Sequence, residues 1–70
     1  MDEQYIIYLK CYEGSGYYTG IGMTSTGKEV RLHTSKFRAA KFSDQHTAMK
    51  TAMQLKSMFR CIISFDIRQY

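Results

Sequence analysis

One stretch of the chain, Ala40–Phe59 (AKFSDQHTAMKTAMQLKSMF), carries a clear helical period, and everything before and after it reads as strand. Ala48, Ala52, Leu55 and Phe59 fall at spacings of four, three and four, which is one helical face, flanked by Met49 and Met53. Thr47, Lys50, Thr51, Gln54 and Ser57 take the other side. Ser43 is the expected N-cap, with Asp44 following in the first turn, where the helix dipole favours a negative charge. His46 stands where a capping box needs Glu or Gln, so the box is incomplete. A lone helix of this length is marginal in water, so its apolar stripe needs a partner surface. The strands must supply it, and the two alanines let the helix sit close on them.

Gln4–Tyr12 (QYIIYLKCY) is β-branched and aromatic without a helical period, and reads as the first strand. Glu13-Gly14-Ser15-Gly16 reads as a tight turn, because glycine supplies positive φ cheaply. Tyr17–Met23 is the return strand, Thr24-Ser25-Thr26-Gly27 a second turn, and Lys28–His33 a third strand that sets Val30 and Leu32 against Glu29, Arg31 and His33. A three-residue Gly14–Gly16 loop pairs Glu13 with Tyr17. That register puts Cys11, Leu9 and Ile7 on one face with Thr19, Ile21 and Met23, and leaves Gly20 and Gly22 outside, opposite Lys10 and Tyr8. Thr34–Lys41 is a connector. After the helix, Arg60–Tyr70 is a last strand, with Cys61, Ile63, Phe65 and Ile67 toward the core and Ile62, Ser64, Asp66 and Arg68 outward. The first strand is apolar enough on both faces to be central. The expectation is therefore a single α+β domain over 1–70: a four-stranded, mainly antiparallel β-β-β-α-β sheet of order 4-1-2-3, one face covered by the helix.

Seventy residues support only a small core. The apolar content, with six Tyr and four Phe, argues for a folded chain. A net charge of +4 suits a polyanion or an acidic protein, and equally suits ordinary solubility. Cys11 and Cys61 sit in strand-like apolar runs and read as two reduced core thiols. Two Cys and two His without close spacing do not make a zinc site, so no metal or cofactor is expected. The start MDEQ is acidic and lacks an apolar signal region, and no apolar run approaches the ~20 residues of a membrane span. These features read as a cytoplasmic, soluble protein.

The face left open by the helix is expected to hold Tyr8, Lys10, Tyr12, Tyr18, Arg31, His33 and Arg68, with Glu29 and Asp66. Soluble sheets usually fill a wet face with Thr, Lys and Glu. Tyr and Arg are enriched in binding hot spots, because they combine large area with a polar handle. Bases also stack on aromatic faces while Arg and Lys meet phosphates, so the same residues suit nucleic acid. Strand propensity alone accounts for tyrosines as well. No nucleophile stands beside a base, the acids are scattered, and the glycines of GSGYYTGIG open no helix, so no enzyme is expected. Apolar residues on the open face and free sheet edges make a homodimer a third reading.

The pattern YYTGIG…GKEVRLHTS…AAKFSDQHTAMKTAMQL resembles small phage and prophage accessory proteins: a meander of strands, then Ala-x-x-Phe-Ser/Thr, then a helix with spaced alanines. Ala39 or Ala40, Phe42, Ser43, Ala48 and Ala52 carry the resemblance. It implies an inhibitor of the anti-CRISPR kind, acting in the host cell by masking a surface of a protein or nucleoprotein complex such as a CRISPR-Cas effector. Three strands followed by a helix beginning Phe-Ser-Asp is also similar to AP2-type and phage-integrase amino-terminal DNA-binding domains. That similarity implies a DNA or RNA interface using Lys10, Arg31 and Arg68.

Overall fold

The computed structural model describes residues 3–70, so the acidic start at Met1 and Asp2 lies outside the described residues. The strands β1 (Tyr5–Cys11), β2 (Gly14–Thr24), β3 (Gly27–His33) and β4 (Ile62–Gln69) form one antiparallel sheet, and α1 (Gln45–Met58) connects β3 to β4. The sheet order is β3-β2-β1-β4, as expected, with β1 inside. It carries apolar residues on both sides: Ile7 and Leu9 face the helix, while Ile6, on the other side, is 1% exposed and lies outside the main core cluster.

The core is the contact between the helix stripe and β1 and β4. Ala48, Ala52 and Leu55 are buried against Ile7, Leu9, Tyr18 and Ile62. Phe59 is half-buried, since it is the C-cap and lies where the stripe leaves the sheet, and Thr51 is drawn half inside. Asp44, rather than Ser43, is the N-cap. Its Oδ1 accepts from the Thr47 amide at 2.7 Å and its Oδ2 from the Thr47 hydroxyl at 2.9 Å. A carboxylate offers two acceptors and a charge to the helix terminus, where a serine hydroxyl offers one. These hydrogen bonds hold the Asp44 carboxyl below its ordinary value of 3.8. Because the folded-state pKa is the lower one, the stabilisation is present above the ordinary value and is lost as pH falls through the folded value. Asp44→Asn keeps a cap without the charge. It should flatten the acid limb of a plot of thermal midpoint against pH, whereas Asp44→Ala should lower the midpoint by a few degrees at neutral pH.

The first hairpin turns earlier than its glycines suggest. Cys11 is opposite Gly14, so Tyr12 and Glu13 form a two-residue turn, and Leu9 pairs with Gly16. Gly14 takes φ +151° at the exit of the turn, a conformation L side chains rarely adopt. Gly16 lies within the strand, where a Cβ would stand 3.0 Å from both the Leu32 Cβ and the His33 carbonyl oxygen. The register differs from the expected one by an odd number of residues, so Tyr17 and Tyr18 exchange faces. An irregularity between Tyr18 and Gly20 then shifts the pairing by one and returns Ile21 to the side of Val30. Ile21 and Met23 thus face the helix side as expected, yet are 43% and 70% exposed. The cause is length: β2 has 11 residues against seven in β1, and the β2–β3 hairpin reaches past its cover. Gly20 and Gly22 fall on the outer face, but the side chain over Gly22 is Arg31 rather than a tyrosine.

Where β2 bends away from β1, the connector fills the gap. A 3-10 turn over Lys36–Arg38 leads into Ala40, whose amide donates to the Tyr18 carbonyl at 2.8 Å. Phe42 then pairs with Tyr5 through two backbone hydrogen bonds of 2.8 and 2.9 Å. A second irregularity, opposite Lys10 and Cys11, corrects β4: Ile62 is buried in the core, Ile63 is pushed out to 41% exposure, and Cys61 is exposed. Phe65 and Ile67 face the core as expected.

Candidate binding face

Period-two alternation sends Tyr8 and Lys10 of β1, Tyr17 of β2, Arg31 and His33 of β3, and Asp66 and Arg68 of β4 to the face opposite the helix. Tyr8 is the centre of this set, being directly opposite Tyr17 on one side and Asp66 on the other. The two tyrosine rings meet edge to face, with centroids 5.0 Å apart and planes at 75°. Arg68 binds both. Its guanidinium lies 4.2 Å above the Tyr8 ring and 5.7 Å from that of Tyr17, and its Nη1 donates to the Tyr17 hydroxyl at 3.1 Å. Its Nε donates to Asp66 Oδ2 at 3.0 Å. The hydrogen bonds to Asp66 and Tyr17 raise the already high pKa of Arg68 further. The result is a Tyr-Tyr-Arg cluster held on three adjacent strands.

Five of the seven expected residues share this face: Tyr8, Lys10, Arg31, His33 and Arg68. Arg31 stands 3.7 Å from Glu29. His33 folds back toward the connector, its Nδ1 accepting from the Ser35 amide at 2.9 Å. The other two are corrected. Tyr18 belongs to the helix-side core at 9% exposure, and burial raises the pKa of its hydroxyl. Tyr12 sits in the hairpin turn, 76% exposed, at the end of the sheet rather than on its face. Tyr17 was missed because Tyr17-Tyr18 is a symmetrical pair in the sequence, and only the turn decides which of them points outward.

A second aromatic group stands at the far end of β4. The Tyr70 amide donates to the Gln4 carbonyl at 2.7 Å, which extends the β1–β4 ladder and puts Tyr70 on the side of Arg68. Phe37 of the connector meets it edge to face at 6.3 Å, and the Lys41 ammonium lies 4.6 Å from the Tyr70 ring centroid. Lys41 also donates to the Phe37 and Ala39 carbonyls, both at 2.9 Å, which anchors the connector there.

Among the described residues, no three His, Cys, Asp or Glu side chains come together as a metal-binding set, and no helix is long and apolar enough to cross a membrane. Comparisons of the chain with protein-family models, with curated proteins and with solved structures found no match.

Proposed function

We propose that the protein is a non-enzymatic binding module whose open sheet face masks a surface of a larger protein complex. The observation that carries this reading is the Arg68 guanidinium lying 4.2 Å over Tyr8 while donating to Tyr17. Tyrosine and arginine anchors dominate interface energetics when their rotamers are already held, because little side-chain entropy is then lost on binding. The same contact weighs against nucleic acid. A base stacking on Tyr8 would have to displace Arg68 from the ring, and the charges of Arg68 and Arg31 are partly offset by Asp66 and Glu29. The resemblance to phage accessory proteins gives the class of partner: a host defence effector such as a CRISPR-Cas complex, met in the host cytoplasm.

The test is affinity capture from nuclease-treated host lysate. A stable complex should co-purify, and Arg68→Ala or Tyr8→Ala should weaken its capture by about tenfold or more with the circular dichroism spectrum unchanged. Capture indifferent to both substitutions, or seen only from lysate left untreated with nuclease, would reject the reading. In the second case a gel shift falling steeply with salt would identify a nucleic-acid interface instead.

A further inference from the structure

We propose that Cys11 and Cys61 form a dithiol pair that a low-molecular-weight disulfide converts, reversibly, into an intramolecular disulfide joining the first strand to the last. Cys11 ends β1 opposite Ile62, and the Tyr12 amide donates to the Cys61 carbonyl at 3.1 Å, so the two cysteines lie on adjacent rungs of one ladder. The two cysteines are diagonal neighbours, so the paired Cα spacing of about 4.5–5.5 Å combines with one strand step of about 3.3 Å to give about 6 Å, inside the range of about 4.4–6.8 Å that a disulfide spans. Both side chains line one cleft on the helix side, with Val30 and Leu32. They are close enough to interact: burial first, and then the charge and hydrogen bonding of Cys61, push the Cys11 thiol up to about 11. Both are free thiols in the structure.

Exposure orders the steps. Cys61 is exposed and Cys11 only half-buried, with a thiol that ionises poorly. The Cys61 thiolate therefore attacks one sulfur of the external disulfide, breaks its S–S bond and releases one small thiol. Cys11 then gives its proton to solvent, and its sulfur attacks the Cys61 sulfur of the mixed disulfide, expelling the second small thiol. Two protein thiols and one external disulfide become one protein disulfide and two external thiols. Two electrons pass to the external disulfide, and the two protons end on its products. The bond closes a loop over most of the chain, restricting the unfolded state, and ties together the strands that carry Tyr8 and Arg68. It does not depend on what the open face binds.

The experiment treats the full chain with glutathione disulfide, quenches in acid, and reads intact mass and non-reducing peptide maps. The expected product is a monomer lighter by about 2 Da than the reduced protein, with a Cys11–Cys61 cross-linked peptide, reverting with reduced glutathione. Its thermal midpoint should exceed that of the reduced form by about 10 °C or more. Cys11→Ser should stop at a mixed disulfide on Cys61, and Cys61→Ser should react far more slowly than the parent. A parent protein that yields only mixed disulfides or covalent dimers would overturn the proposal. So would an internal disulfide that forms only with loss of the native circular dichroism spectrum, a readout that does not rely on either variant folding.

Discussion

Leu9→Ala will leave much of the protein unfolded at room temperature. Leu9 is fully buried in the inner strand, between Gly16 on β2 and Phe65 on β4, within the cluster formed with the helix stripe. Removing a buried leucine to alanine costs about 2–5 kcal/mol, more where the surroundings cannot collapse. Collapse is hindered here, because the cross-strand neighbour Gly16 has no side chain to move into the space. A chain of this size holds only about 3–5 kcal/mol from a single core, so the loss is comparable to the whole. Urea unfolding followed by circular dichroism measures it. Lys50→Ala, on the exposed side of the helix, should change stability by less than about 0.5 kcal/mol in the same assay. A Leu9→Ala variant as stable as Lys50→Ala would mean that the helix–sheet contact is not the core.

Ala52→Leu should be damaging for the opposite reason. Ala52 is fully buried at the middle of the helix stripe, and its small side chain sets how closely the helix approaches β1 and β4. Added methylenes force off-rotamer side chains or lift the helix, at about 1–3 kcal/mol. Alanine and leucine have nearly equal helix propensity, so the loss reports packing rather than helix formation. The control is the same change at Gln54, which is exposed on the outer side of the helix. Gln54→Leu should be near neutral, and equal loss at both positions would exclude close approach as the role of Ala52.

The candidate face was legible in type and imperfect in detail. Tyr8, Lys10, Arg31, His33 and Arg68 were placed by alternation along their own strands, and the irregularity in β2 returns β3 to its expected face after the odd shift of the first hairpin. Tyr18 and Ile62 were misplaced because each sits beside an irregularity, and alternation fails where a strand carries one residue more than its neighbour. The contacts that build the cluster join residues far apart in the chain, such as Arg68 and Tyr17. No local pattern encodes such a contact.

What the sequence alone determined is the inventory and the order: one amphipathic helix, four strands, β1 inside, and a helix face made close-fitting by Ala48 and Ala52. Those follow from periodicity and residue size, which act over a few neighbours. Tertiary structure decided the register of the first hairpin. Either of two turns satisfied the glycines, and the choice went to the one that lays Leu9 over Gly16, buries Tyr18 beneath the helix and frees its carbonyl for Ala40. A shift of register costs nothing locally and inverts every side chain along the strand, so only the packing of both faces at once could select it.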